Sequence, residues 1–216
     1  TSKSIRTTEK TRIIADGQQL VRVDRDSRNL TNQSINQILM KVVKNIKEVD
    51  GVIISDYNKG VCTEVVVREI ITLARKLKIP TYVDPKGKKW KKYYGASIIT
   101  PNLKEAETVV GKRLKSEKEF EEAGREICDN FRINGCLITR GPNGMSYVSK
   151  DSILHVSSEA KEIFDVSGAG DTVIAAFTTA ILAGFDPEFA TRFANKAAGI
   201  VVGHIGTTAI TLQELL

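Results

Sequence analysis

Apolar positions along this chain follow two rhythms. In TRIIADGQQLVRVDRD, residues 11–26, short β-branched runs flank Asp16-Gly17, a pair suited to a tight turn with positive φ, and the pattern predicts a hairpin. Leu20, Arg22 and Asp24 fall on one face and Val21 and Val23 on the other. A two-stranded piece with one apolar face needs a partner to cover it. From residue 31 the period lengthens. Ile35, Ile38, Leu39, Val42, Val43 and Ile46 form a helical stripe capped by Thr31 or Asn32.

Buried strands and amphipathic helices then alternate. GVIISD ends in Asp56, IPTYVDP carries Asp84, ASIITPN ends in Thr100, Pro101 and Asn102, and GCLITRG contains Thr139. Between them lie helical patterns over residues 63–78 and 116–130. This alternation predicts an α/β fold with a parallel sheet covered on both faces. Ligands bind such sheets beyond the carboxyl ends of the strands. Asp56, Asp84, Asn102 and Thr139 should therefore share one edge. GPNGMSYVS and SILHVSS predict an antiparallel pair turning near Lys150-Asp151, and two helices follow, at about 169–183 and 187–203.

At 216 residues the chain can bury a full core, and it has no apolar run of about 18 residues and no signal-peptide pattern. Cys62, Cys128 and Cys136 are odd in number and lack C-x-x-C spacing, so they read as packing residues of a protein at home in a reducing cytoplasm. His155 and His204 stand without partners at metal-ligand spacing and also read as packing residues. The net charge of +6 is densest in DPKGKKWKKYYG, residues 84–95. Trp90, Tyr93 and Tyr94 among Lys88, Lys89, Lys91 and Lys92 are a pattern that stacks bases and neutralises phosphates, or a solvated turn whose rings pack inward, or a lysine source for a small phosphorylated ligand.

The stretch EIFDVSGAGDTVIAAF, residues 162–177, places Gly168, Ala169 and Gly170 at the start of a helix and a carboxylate, Asp171, one residue on. The first turn of a helix offers unpaired N–H groups and partial positive charge to an anion, and glycine lets the ligand approach. A static anion would repel Asp171. A phosphoryl group in transfer would not, if Asp171 takes the proton of the attacking hydroxyl while the amides stabilise charge. The same residues also suit a plain helix cap.

DVSGAGDTVIAAF resembles the signature of the ribokinase-like sugar kinases, the phosphofructokinase-B family, departing at Val166-Ser167. The resemblance implies a three-layer α/β/α ribokinase-like fold with a mostly parallel sheet and a small β lid. It implies Asp171 as catalytic base and an anion hole from Gly168, Ala169 and Gly170. TPNLKEAE is similar to the family's N-x-x-E segment, implying nucleotide contact at Asn102 and magnesium with its water shell at Glu105. TRGPNG resembles its nucleotide loop, with Thr139, Gly141 and Gly144, and ANKAAGIVVGHIG its last helix, with Asn195 beside the adenine. TRIIADGQQLVRVD, SDYNKGV and VDPKG narrow the resemblance to the heptose-7-phosphate kinases, including the kinase half of the two-domain heptose synthases. It implies ATP and Mg²⁺ as cofactors, and a cytoplasmic enzyme of ADP-heptose and lipopolysaccharide core synthesis without nucleic-acid or membrane partners. A phosphorylated sugar needs cations, here Arg22, Lys59 and Lys86, with Lys86 alternatively serving the ATP side and ordinary surface charge the other reading of all three, and with Asp56 and Asp84 as further substrate contacts. Residues 1–30 then form the lid segment, through which a homodimer is expected, and residues 31–216 the catalytic region. The family's substrate-binding N-terminal part is expected to be missing before Thr1.

Overall fold

Neighbouring residues of a strand face opposite ways, and here they feed two separate apolar clusters. The computed structural model describes residues 7–15, 18–26, 31–160 and 162–215. β1 (Glu9–Ala15) and β2 (Gln18–Arg25) form the predicted antiparallel hairpin, while its Asp16-Gly17 turn lies outside the described residues. The register sets Ile13 opposite Val21 and Thr11 opposite Val23, and Arg12 opposite Arg22 and Lys10 opposite Asp24. Val21 and Val23 remain 46% and 47% exposed, so the described residues leave about half of this apolar face uncovered.

The main body follows in the order α1 (Asn32–Asn45), β3 (Val52–Ser55), α2 (Glu64–Lys76), β4 (Thr81–Asp84), β5 (Ile98–Ile99), α3 (Leu103–Val110), α4 (Glu117–Phe131), β6 (Gly135–Thr139), β7 (Met145–Ser149), β8 (Ile153–Val156), α5 (Ala169–Leu182), α6 (Pro187–Val201) and α7 (Leu212–Leu215). Thr31 caps α1, its hydroxyl accepting from the Ser34 N–H at 3.2 Å. The sheet runs β3-β4-β5-β6-β7-β8, parallel from β3 to β6 and antiparallel over the last two pairings. This is the mostly parallel sheet that the alternation of elements predicts. The pattern did not predict α3, and β5 is shorter than its apolar run.

Ile54, Val83, Ile99 and Ile138 pack on one face with Val67 and Ile71 of α2 and Phe120 and Ile127 of α4. Tyr82, Ile98, Leu137 and Tyr147 pack on the other with Val173, Ile174 and Phe177 of α5 and Ala194 of α6. Three layers result, with the sheet in the middle. The basic cluster turns through a short 3₁₀ helix, Trp90–Tyr93, whose two rings are buried in the first core. Trp90 and Tyr93 are thus not free to stack on bases, which favours the inward-packed reading. Burial pushes the thiols of Cys62 and Cys128 up to about 11 and about 12, and Cys136 is fully buried, so all three serve packing. Among the described residues no helix is long and apolar enough to cross a membrane.

Candidate active site

The carboxyl ends of the parallel strands meet as predicted. Ser55 lies opposite Asp84, the Asp56 N–H donates to the Asp84 carbonyl at 3.0 Å, and Asn102 bridges Thr139. Their side chains then diverge, because the strand alternation persists past the end of β3. Asp56 follows Ile54 into the first core, where it is 2% exposed. Tyr93 donates to its Oδ2 at 2.6 Å, Lys92 pairs with the same oxygen, and the Asn58 N–H donates to Oδ1 at 2.6 Å. Expected at the substrate, Asp56 is instead turned inward and anchors the loop. Burial and this carboxylate push the Tyr93 phenol up. Asn58 takes a left-handed conformation, φ 54°, which asparagine tolerates better than most residues.

Ser55 and Tyr57 point the other way and meet Asp171. Ser55 Oγ donates to Asp171 Oδ1 at 3.3 Å, and the Tyr57 hydroxyl donates to Oδ2. Burial, followed by the Asp171 hydrogen bond, pushes the Tyr57 phenol up to about 12, so it remains a donor throughout the physiological range. Neither residue was singled out from the sequence. The available signal was the two-residue period carried past Asp56.

Asp171 sits in the first turn of α5, behind Gly168 with φ 87°. The Ala169 N–H is directed at the Val166 carbonyl at a long 3.3 Å. A Cβ on Gly170 would meet nothing within 4 Å, so packing does not require glycine there and the turn opens onto free space. Asp165 braces the approach, accepting from the Ser167 N–H at 2.8 Å and the Gly206 N–H at 3.3 Å. The Ser167 bonds hold its carboxyl below the usual range.

Asn102 and Glu105 form a capping box at the start of α3, each accepting from the other's N–H at 3.0 Å. Lys86 reaches across to Glu105 Oε1 at 2.6 Å, which puts Lys86 on the nucleotide side of the expected site. Burial first, then the Glu105 and Asp171 carboxylates, push Asp84 up to about 7 against the pull of Lys86. Around Asp84 the carboxylates of Glu105 and Asp171 thus act alongside the Lys86 ammonium. Carboxylate oxygens are hard donors of the kind magnesium takes, although among the described residues no group of three or more acidic or metal-ligating side chains could hold it unaided.

Thr139 ends β6, and Gly141 and Gly144 lie in the turn that leads into β7. Gly141 (φ 59°) faces open space, whereas a Cβ on Gly144 would lie 2.0 Å from the Val156 carbonyl oxygen. Asn195 is 3% exposed, and its amide donates to the Ser157 carbonyl at 2.7 Å, fixing the segment after β8. Arg22 pairs with Asp24 at 2.9 Å, and Lys59 binds Asp26 and lies 3.5 Å from Asp24. These two expected phosphate cations lie where the hairpin meets the loop after β3. His155 is held by Ser146 at 2.8 Å and Glu121 at 3.3 Å, and His204 by Glu214 at 3.3 Å.

Residues 2–214 match the family model described as pfkB family carbohydrate kinase. The chain is 40% identical over 210 residues to the bifunctional protein HldE of Helicobacter pylori strain J99, covering 97% of this chain and 45% of that protein. It is 40% identical over 213 residues to HldE of a Nitratiruptor species, covering 97% and 44%. The chain thus spans less than half the length of these relatives. Escherichia coli phosphofructokinase-2 in complex with substrates and products superposes with a TM-score of 0.79 at 21% identity, over 96% of this chain and 68% of that one. Arabidopsis thaliana ribokinase complexed with ribose and ATP gives 0.69 at 18%, over 87% and 60%. The fold is ribokinase-like.

Proposed function

The chain belongs to the pfkB family of carbohydrate kinases, and we propose that it transfers a phosphoryl group from ATP to the anomeric hydroxyl of a heptose 7-phosphate, giving the 1,7-bisphosphate used in ADP-heptose and lipopolysaccharide core synthesis. The carrying observation is the Asp171 carboxylate in the first turn of α5, beside the open face of Gly170. Asp171 removes the hydroxyl proton, and the amides of Gly168, Ala169 and Gly170 stabilise charge on the group in flight. Ser55 and Tyr57 hold both carboxylate oxygens in place. The choice of sugar rests on the 40% identity to the HldE proteins and on SDYNKGV and VDPKG.

Asn102, Thr139, Gly141 and Gly144 line the nucleotide side, and Asn195 shapes it by holding Ser157. Glu105, with Lys86 beside it, would hold magnesium through its water shell. When bound, the metal neutralises triphosphate charge. Arg22 on the lid and Lys59 at its base supply cations for the sugar's own phosphate, and Asp84 faces the same cleft. The exposed valines of the hairpin meet those of a second copy, giving a homodimer.

Asp171→Asn should abolish turnover and spare ATP binding, and an active variant would overturn the mechanism. A panel of phosphorylated and unphosphorylated sugars tests the substrate. Preference for fructose 6-phosphate would replace heptose, and ATP binding without sugar-dependent ADP release would make the chain a nucleotide-binding module.

A further inference from the structure

The loop SDYNKG touches the hairpin twice. Lys59 binds Asp26 and lies 3.5 Å from Asp24, and two residues earlier the Tyr57 ring carries the Lys10 ammonium of β1 over its face, 4.8 Å from the centroid. A cation over an aromatic face is attracted by the ring quadrupole. Of these two loop residues, the structure shows Tyr57 also reaching Asp171. One side chain thus has two ends: a ring that holds the lid and a hydroxyl that holds the proposed base.

We propose that Tyr57 is a positioning residue that couples the lid hairpin to Asp171, so that the place of the hairpin sets the orientation of the carboxylate. This rests on the reading of Asp171 as the base. The loop is suited to the task because its backbone is fixed from beneath. The Asn58 N–H is bonded to buried Asp56, which Lys92 and Tyr93 hold in turn. With its backbone anchored, Tyr57 responds to Lys10 above and Asp171 below. Displacement of the hairpin removes the cation from the ring and leaves the hydroxyl less tightly oriented. Ser55, on the rigid end of β3, keeps the other carboxylate oxygen in either case.

The two ends separate by substitution. Tyr57→Phe keeps a ring for Lys10 and loses the hydroxyl. It should lower kcat about tenfold, the order expected for one hydrogen bond to a charged group, with KM for ATP unchanged and amide exchange across residues 9–25 quickened less than in Tyr57→Leu. Tyr57→Leu loses both contacts and should also speed hairpin exchange severalfold. Lys10→Met should speed that exchange in the otherwise unaltered protein and in Tyr57→Phe, with no further effect in Tyr57→Leu, and should lower kcat in the unaltered protein but not further in Tyr57→Phe. Exchange needs no substrate, so a protein inactive on every sugar phosphate would defeat the functional reading and still decide the lid contact. The Asp171 contact is decided equally by a denaturation cycle of Tyr57→Phe with Asp171→Asn, where non-additive midpoints are expected. Additive midpoints, an unchanged kcat in Tyr57→Phe, or an undiminished effect of Lys10→Met in Tyr57→Leu would each overturn the proposal.

Discussion

Asp84 should make the fold weaker as pH rises through the neutral range. Its carboxyl is moved from 3.8 to about 7, first by burial and then by Glu105 and Asp171, with Lys86 opposing and Asp56 adding a smaller push. In the unfolded chain it ionises near pH 4. Between about pH 4 and pH 7 the folded state therefore holds a proton that the unfolded state has released, and stability falls with rising pH. The cost of ionising the buried carboxyl is absent below pH 4 and complete above 7. At about 1.4 kcal/mol per pH unit the whole effect is about 4 kcal/mol, of which about 3 lies between pH 5 and 8. Asp84→Asn cannot ionise and should lack this slope. Denaturation of both proteins at pH 5, 6, 7 and 8, without nucleotide or divalent cation, isolates the residue because the other titrating groups cancel in the difference. Asp84→Asn should gain about 3 kcal/mol on the unaltered protein across that range, roughly 6–12 °C in melting temperature for a domain of this size. A difference that stays flat would mean that Lys86 keeps Asp84 ionised in the fold, and the electrostatic account of the site would fail.

Lys92→Met leaves the buried Asp56 carboxylate without its cation and should cost about 3–5 kcal/mol in denaturation, while exposed Lys91→Met should stay within about 0.5 kcal/mol. Gly144→Ala drives a Cβ into the Val156 carbonyl and should be severely destabilised or insoluble. Gly141→Ala meets open space and should cost only about 1–2 kcal/mol for its left-handed backbone, so a larger drop in ATP affinity by calorimetry would report ligand approach. Val21→Glu places a charge on the exposed hairpin face and should give monomers with weakened sugar binding and near-normal ATP affinity. Light scattering that finds the unaltered protein monomeric at micromolar concentration would refute the lid dimer.

Most elements were legible because their residues obey one period for long enough. The stripe from Ile35 to Ile46, the apolar strands and the two long final helices are of this kind. α3 escaped because it has only eight residues and starts at Asn102, whose spacing to Glu105 serves a capping box as well as it serves a nucleotide motif. β5 is only two residues long because its neighbours bond irregularly, Ser97 and Thr100 donating to the carbonyls of Thr81 and Val83. In the candidate site, Asp171 was visible as a carboxylate at a glycine-lined helix start. Ser55 and Tyr57 were not, since a serine and a tyrosine after a strand carry no chemistry until the fold brings α5 beside them. Asp56 had the right address and the wrong direction.

That direction explains why charge is buried beneath the site at all. A buried ion pair is weak evidence of stability, because apolar residues of similar volume often serve as well. Lys92, Tyr93 and Asp56 give something apolar packing would not: a carboxylate oxygen fixed where the Asn58 N–H must go. The same Tyr93 hydroxyl accepts from the Lys86 N–H at 3.0 Å, so one phenol ties the loop bearing Tyr57 and Lys59 to the loop bearing Lys86. Loops placed by backbone propensity alone would leave these side chains free to rotate about their hinges. With the anchor, the alternation that sends Asp56 down also sends Ser55 and Tyr57 up to Asp171. The two sides of the proposed reaction, the sugar under the hairpin and the nucleotide beside Glu105, are set by one buried hub.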